Sequence, residues 1–300
     1  MRSPRQQPRP SYALYRNDGH GHFTKKESSG LEAASLAANG VFADFDGDGK
    51  LDLYVGRGGT TNAVVDQLYF GNGDGTFRDA SASLANRSAQ PTNGVVACDY
   101  DDDGDLDLFV SHYGVSTELG WNALWENDGA GHFTNVAKER GFHAQGTGNY
   151  FLASTDKGRA TQPGDPSTWI GNNGFGLDCQ DVDGDGHMDI WIAAISHPVD
   201  SDESRKWSDP SRLMLNRGPA QGFAFENVFL DRGLPFNEGD IDAAAIDFDN
   251  DGLVDLSVTR DRKYEDAYAS PDQKSWFGLM RQSEDGRFAS VGLASGIKDP

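Results

Sequence analysis

The sequence lacks a long apolar run, and positive charge is scarce in it. No segment of about 18 consecutive apolar residues occurs among its 300 residues, which excludes a transmembrane helix. Its 26 lysines and arginines stand against 47 aspartates and glutamates, for a net charge of −21. This excess of negative charge argues against nucleic acid or an anionic membrane as a partner, and we expect no membrane insertion.

The amino-terminal segment 1–10 (MRSPRQQPRP) is basic but lacks the apolar core of a signal peptide. We interpret it as a linker or an expression remnant. We expect residues 11–300 to form a single domain, which could be part of a longer chain.

Cysteine is also rare. The sequence has two, Cys98 and Cys179, which do not make a disulfide framework. Both come just before an acidic segment, in equivalent parts of consecutive repeats. This placement favours buried free thiols, with a disulfide between repeats as the alternative.

Aspartate, by contrast, is concentrated in four segments of one pattern. The first, Asp44–Asp52 (DFDGDGKLD), has carboxylates at positions 1, 3, 5 and 9 and glycine at position 6. The same pattern returns at Asp99–Asp107, Asp181–Asp189 and Asp247–Asp255. Each copy runs directly into an apolar, β-prone segment, so the rest of the chain can be treated as spacers between these loops.

Four carboxylates so close together repel one another unless a cation neutralises them. Calcium suits such a loop because it accepts six to eight oxygen ligands in a loosely specified shell, whereas magnesium prefers a water-rich octahedron. The alternative is an acidic turn without a metal, and four copies with the glycine fixed favour the metal. We predict about four structural Ca²⁺ ions. The predicted ligands are Asp44, Asp46, Asp48, Asp52, Asp99, Asp101, Asp103, Asp107, Asp181, Asp183, Asp185, Asp189, Asp247, Asp249, Asp251 and Asp255.

A second pattern alternates with the loops: an apolar stretch, a glycine-rich turn and an aromatic residue, which together are typical of a β-hairpin. It occurs at Leu14–Phe23, Leu68–Phe77, Leu124–Phe133, Leu213–Phe225 and Leu279–Phe288. Before each acidic loop lies a strand of small residues, which suits a crowded innermost position.

One unit is therefore strand, metal loop, strand, longer loop, strand, glycine turn, strand. Four antiparallel strands in a long repeat predict an all-β chain with the blades of a β-propeller, and a linear solenoid is the main competitor. Five hairpins but only four loops predict about four and a half blades. A five-bladed ring lacking half a blade and an arc of a seven-bladed ring both remain open.

The repeating unit resembles the FG-GAP (VCBS) repeat of integrin α-subunit propellers, and its hairpins resemble more closely the bacterial ASPIC/UnbV and cartilage-acidic-protein-like branch. The resemblance covers roughly residues 12–293. It implies Ca²⁺ in the loop between strands 1 and 2 of each blade and a role in extracellular binding or adhesion. The long insertion at 142–173 and the incomplete blade depart from the family pattern.

A second candidate site lies on the face opposite the metal loops, where strand 2 of each blade ends. Equivalent positions there should form a ring around the axis, and arginine matches the oxygens of a carboxylate. Alternatively, these cations pair with nearby acids such as Asp261, and nearby aromatic residues pack between blades. The candidate ligand-binding residues are Arg57, His112, His197 and Arg260. The aromatic residues near them are Tyr113, Trp121, Trp169, Trp207 and Trp276.

The favoured function is a calcium-binding extracellular β-propeller that acts as a binding or adhesion module for a protein or a glycan. We expect it outside the cell, in a periplasm or on a cell surface, where calcium is plentiful. The alternative is a biosynthetic or glycan-active enzyme with its site on the loop-rich face. No nucleophile elbow, phosphate-binding loop or zinc-spaced cluster occurs in the sequence.

Overall fold

The computed structural model describes residues 12–31, 36–59, 62–114, 119–143, 174–194, 211–234, 239–260, 277–292 and 295–296. Within these ranges, eighteen strands form four four-stranded antiparallel sheets and one two-stranded sheet. This is the four and a half blades that the repeats predict, and the all-β propeller-blade architecture is confirmed.

Each predicted hairpin is present, and so is each predicted pair of strands on either side of an acidic loop. The half blade consists of β1 (Leu14–Asn17) and β2 (Phe23–Lys26). The first complete blade has β3 (Ala37–Ala43), β4 (Asp52–Arg57), β5 (Gln67–Gly71) and β6 (Phe77–Asp79). The second has β7 (Thr92–Cys98), β8 (Asp107–His112), β9 (Ala123–Asn127) and β10 (Phe133–Asn135). The third has β11 (Gly174–Gln180), β12 (Asp189–Ala194), β13 (Arg212–Asn216) and β14 (Phe225–Asn227). The fourth has β15 (Asp240–Ile246), β16 (Asp255–Arg260), β17 (Phe277–Gln282) and β18 (Phe288–Ser290).

The first strands of neighbouring blades lie against one another: β3 contacts β7, β7 contacts β11, and β11 contacts β15. Small residues make this approach possible. A Cβ added at Gly94 would lie 2.3 Å from the carbonyl oxygen of Phe175, and one at Gly176 would lie 2.1 Å from Oδ1 of Asp242. Glycine is therefore required where these inner strands pass closest.

The core consists of apolar layers between consecutive blades. Tyr54 of the first blade packs in one cluster with Val110 of the second. Phe109, on the other face of β8, belongs to the next layer with Ile192, and Trp191 belongs to the last. Because successive side chains on a strand point to opposite faces, the second strands of the first three blades each contribute to two layers.

The two cysteines correct one sequence-based interpretation. Cys98 at the end of β7 and Cys179 on β11 form a disulfide, with their Cα atoms 6.7 Å apart. They are not the buried free thiols that the sequence favoured. Equivalent positions of two neighbouring inner strands come together when the blades pack, which the separation of 81 residues in the chain does not reveal.

Across the described ranges, no helix is both long and apolar enough to cross a bilayer.

Candidate metal loops and the opposite face

Each acidic segment is a tight turn between the first and second strands of its blade. In the first loop, the carboxylate of Asp44 accepts hydrogen bonds from the backbone N–H groups of Asp48, at 3.1 Å, and Gly49, at 2.8 Å. Gly47 and Gly49 have φ angles of 70° and 80°, a region that favours glycine. The equivalent bonds from positions 5 and 6 to position 1 recur in the other three loops.

This folding gathers carboxylate oxygens from three residues of each loop to within 4.8 Å of one another. The groups of three are Asp44, Asp46 and Asp48; Asp99, Asp101 and Asp107; Asp181, Asp183 and Asp189; and Asp247, Asp249 and Asp251. The remaining predicted ligands, Asp52, Asp103, Asp185 and Asp255, lie in the same loops outside these groups. Several acidic clusters could therefore hold metal ions.

One oxygen in each of the first three loops has no hydrogen-bond partner although it is buried. The atom is Oδ1 of the position 3 residue: Asp46, Asp101 or Asp183. A buried oxygen without a partner is costly unless something compensates it, and an ion held by the same loop would do so. The donor set therefore fits a hard divalent cation, which prefers carboxylate and carbonyl oxygens.

The position 9 aspartates are buried at the junction between the loop and the third strand. Asp107 accepts a hydrogen bond from the backbone N–H of Tyr100 in its own loop, at 3.3 Å, and one from that of Asn127 on β9, at 2.9 Å. Burial raises the pKa of Asp107 to about 8, and burial likewise raises the pKa of Asp189 to about 7. A cation at the same oxygens would favour the ionised form and lower the pKa again.

Each of the first three loops is also tied to the following blade, a feature that sequence reasoning missed. The side-chain amide of Asn127 donates to the carbonyl of Phe45 at 2.9 Å, and Asn216 donates to that of Tyr100 at 2.8 Å. Gln282 repeats the bond to Val182 at 2.9 Å. The available signal was an amide residue at the end of the third strand, in LWEN, LMLN and LMRQ.

A family described as FG-GAP-like repeat matches residues 8–55 and 57–110, which include the first two loops. The chain therefore contains FG-GAP-like repeats. Over 182 residues it is 27% identical to cartilage acidic protein 1 of Xenopus tropicalis and 26% identical to that of Mus musculus. Each match covers 60% of this chain and 24% of the relative, so the chain spans about a quarter of those proteins. The predicted FG-GAP assignment, with its cartilage-acidic-protein-like branch, is confirmed.

Among solved structures, the chain is similar to a lectin of Agrocybe aegerita that specifically recognises non-reducing terminal N-acetylglucosamine. The likeness covers 92% of this chain and 58% of the lectin, with 14% sequence identity and a TM-score of 0.43. A likeness at this level transfers no ligand.

On the opposite face, the FG-GAP chain places Arg57, His112, Ala194 and Arg260 at equivalent ends of β4, β8, β12 and β16. Each cationic side chain has local partners. Arg57 donates to the carbonyl of Val65 at 2.9 Å, and Nδ1 of His112 lies 2.6 Å from the carbonyl oxygen of Trp121.

Arg260 is 4% exposed and pairs with buried Asp240 at 3.2 Å. This partner lies on β15, the first strand of the same blade, which pairs with β16. The predicted residues His197, Trp169, Trp207 and Trp276 lie outside the described residues, as does Asp261.

A cavity of about 370 Å³ opens beside His112, between the first and second complete blades. Trp121 and His143 line it as a stacked pair, with ring centroids 4.2 Å apart. Burial lowers the pKa of His143 to about 4, so its imidazole is neutral at pH 7. Asn122 also lines the cavity; it is 1% exposed, and its Nδ2 has no hydrogen-bond partner.

Asp66 also lines this cavity, and its carboxylate has a structural role. Its carboxylate accepts hydrogen bonds from the hydroxyl of Tyr54 at 2.7 Å, from that of Thr92 at 2.8 Å and from the backbone N–H of Arg57 at 2.7 Å. It therefore joins the two blades. Nδ2 of Asn122 offers a ligand at this site a buried donor, which favours a ligand with a hydrogen-bond acceptor.

Proposed function

We propose that residues 11–300 form a calcium-stabilised FG-GAP propeller domain that binds a protein or a carbohydrate. The observation that carries the calcium proposal is the buried oxygen without a partner on Asp46, Asp101 and Asp183. It recurs at position 3 of three separate loops, as expected for an ion-binding position and not for an incidental packing fault.

In each loop, carboxylates at positions 1, 3, 5 and 9 would hold the ion, which would supply positive charge at a turn crowded with carboxylates. The ion would be structural. It would fix the turn that joins strands 1 and 2, and through the amides of Asn127, Asn216 and Gln282 it would fix the contact with the next blade.

A location outside the cell, in a periplasm or on a cell surface, is part of the proposal. The disulfide between Cys98 and Cys179 supports an oxidising compartment, since cytosolic thiols are kept reduced. Extracellular calcium-binding modules can also work with weak sites, because they meet millimolar calcium.

Substituting Asp107 by asparagine tests the calcium proposal. Since burial raises the pKa of Asp107 to about 8 in the folded protein, the calcium-free folded state keeps a proton there at pH 7 that the unfolded chain has lost. The stability of the calcium-free protein should therefore fall as the pH rises from about 4 to 8. Both carboxylate oxygens of Asp107 accept a backbone N–H, and the amide nitrogen of asparagine cannot accept one. We therefore expect the substitution to lower the free energy of unfolding by about 1–3 kcal/mol in EDTA.

In calcium, the same substitution should cost about 3 kcal/mol more than in EDTA, which is the contribution of one site at a hundredfold excess of free calcium over its Kd. Urea unfolding at pH 7 measures both values. Asp105→Asn is the control, since it removes a charge from the same loop at a position outside the oxygen cluster. An equal cost with and without calcium would contradict the assignment of Asp107 as a ligand.

The cavity beside His112 is the proposed ligand site. Trp121 offers an aromatic surface and Asn122 a buried donor, a combination that suits a sugar ring or a polar protein side chain. Of the four residues predicted from the sequence, Arg57, His112, His197 and Arg260, the position of His112 in the cavity lining supports a role in this site. The other three remain proposals without a described place in this cavity.

A glycan array in calcium, followed by NMR titration of any hit, tests this site. We expect Trp121→Ala to weaken binding at least tenfold, since stacking on an aromatic residue is a large part of such an interface. His132→Ala, on an exposed turn, should leave binding unchanged. Binding that survives Trp121→Ala would place the ligand elsewhere.

The enzyme alternative gains no support from the described residues of this face. The carboxylate nearest His112 is that of Asp66, 3.9 Å from Nε2, and it is already engaged by Tyr54, Thr92 and the backbone of Arg57. It is held as a structural group and is not positioned to orient a catalytic histidine.

A further inference from the structure

The fourth acidic loop differs from the others because an arginine lies within it. Arg281 on β17 places Nε 2.7 Å from Oδ2 of Asp249 and its NH2 group 2.7 Å from Oδ2 of Asp251. These carboxylates are positions 3 and 5 of the loop, two of the three residues that would gather around an ion. The guanidinium thus already provides positive charge to two of the three carboxylates that would bind the ion.

Among the described residues, cations also approach the first and third loops, but there only one of the three gathered carboxylates has a close ion pair: Lys50 pairs with Asp48 of the first loop, and the arginines stand farther off. Arg78 lies 3.6 Å from Asp46 of the first loop. Arg232 lies 3.5 Å from Asp183 of the third. In the described part of the chain, no arginine or lysine forms an ion pair with the predicted ligands of the second loop, Asp99–Asp107.

Strand register shows that Arg281 is particular to the fourth blade. The position before the strand-ending residue is Phe70 on β5, Glu126 on β9, Leu215 on β13 and Arg281 on β17. The second blade therefore has an acid where the fourth has a cation, although Glu126 is paired with Arg140 at 3.0 Å.

Burial follows the same division. Oδ1 of the position 3 aspartate is buried without a partner in the first three loops. In the fourth loop the position 3 residue, Asp249, is exposed, whereas the position 5 residue is exposed in all four loops. The exposed carboxylate of Asp249 forms an ion pair with Arg281, and that of Asp251 accepts a hydrogen bond from it.

We propose that the four loops do not bind calcium equally: the loop Asp247–Asp255 is the weakest site because Arg281 competes for its ligands, and the loop Asp99–Asp107 is the strongest. This inference rests on the proposed calcium binding. An entering ion must displace the guanidinium or tolerate a like charge a few ångströms away. Even at the dielectric constant of water, a divalent ion about 6 Å from a single positive charge loses about tenfold in affinity.

Titration of the calcium-free protein with CaCl₂, followed by NMR, resolves the loops individually. The glycine at position 6 of each loop donates its N–H to the position 1 aspartate, so its amide signal should report an ion in that loop. The four reporters are Gly49, Gly104, Gly186 and Gly252. We expect Gly252 to respond at a calcium concentration at least tenfold higher than Gly104.

Arg281→Leu gives the fourth blade the residue that the third blade has at this position, and Arg281→Gln keeps a polar side chain there. Both variants should shift the response of Gly252 about tenfold toward lower calcium and leave Gly104 unchanged. Arg78→Leu is the matched control, since the longer contact of Arg78 with Asp46 predicts a shift of Gly49 below about threefold. A melting curve in EDTA checks that each variant is folded.

The outcomes separate the two proposals. Four loops that fill together, or a Gly252 response that weakens in both Arg281 variants, would overturn the role of Arg281 while leaving calcium binding in place. The second result would mean that Arg281 orients the carboxylates for the ion. No response of any of the four glycines at millimolar calcium would overturn the proposed calcium binding itself.

Discussion

Removing calcium with EDTA is expected to lower the melting temperature by at least about 10 °C. A ligand that binds only the folded state stabilises it by RT ln(1 + [L]/Kd), which is about 2.7 kcal/mol per site at a hundredfold excess over Kd. Three occupied loops would together contribute about 8 kcal/mol, and in a chain of this size each kcal/mol shifts the melting temperature by about 2–4 °C. Differential scanning calorimetry at pH 7 measures the shift between samples in about 5 mM CaCl₂ and in EDTA. Calcium is about millimolar where extracellular modules bind it.

Returning calcium to the EDTA-treated protein should restore the higher melting temperature, and magnesium should restore little of it because magnesium fits these loops poorly. A melting curve that is the same in calcium and EDTA would contradict structural calcium. The result would then favour acidic turns that need no metal, the alternative left open by the sequence.

The repeating elements of the fold could be predicted from the sequence because each is encoded locally. The run LDLYV after the first loop became β4, which begins at Asp52, and the Leu68–Phe77 hairpin became β5 and β6. Alternating apolar residues, a glycine where φ is positive and an aromatic after the turn act within a few residues. The incomplete first blade, β1 and β2, followed from the same counting.

Contacts between blades could not be predicted in the same way, because they join residues about 80 positions apart. The bond of Asn127 to the carbonyl of Phe45 spans 82 residues, and the Cys98–Cys179 bond spans 81. Each depends on how two sheets face one another, which no local pattern specifies. The ion pair of Arg260 shows the same limit: strand pairing brings Asp240 opposite Arg260, although the two residues lie 20 positions apart in the chain.

For the candidate metal loops, the sequence predicted the ligand residues but not the proposed difference in calcium affinity between the loops. All four loops have the same four aspartates, so the pattern predicts equal sites. The loops differ in the residue that the third strand places beside them, which is Glu126 in the second blade and Arg281 in the fourth. Strand register and the exposure of Asp249 decide this difference, and both require the folded structure.

Breaking the disulfide is the second change expected to have a large effect. The double variant Cys98→Ala/Cys179→Ala should lower the free energy of unfolding by up to about 4.5 kcal/mol, the chain-entropy value for a loop closed across a separation of 81 residues. The bond also joins β7 to β11, so its loss removes a link between the inner strands of two blades. Urea unfolding in calcium, at a fixed calcium concentration, measures the difference.

Reduction of the unsubstituted protein with dithiothreitol should reproduce most of this loss, and the double variant should be insensitive to dithiothreitol. These two comparisons separate the covalent link from the packing of the cysteine side chains. If dithiothreitol leaves the unsubstituted protein unchanged while free thiols appear in a thiol assay, the bond does not stabilise the fold. The two inner strands would then be held by packing and calcium alone.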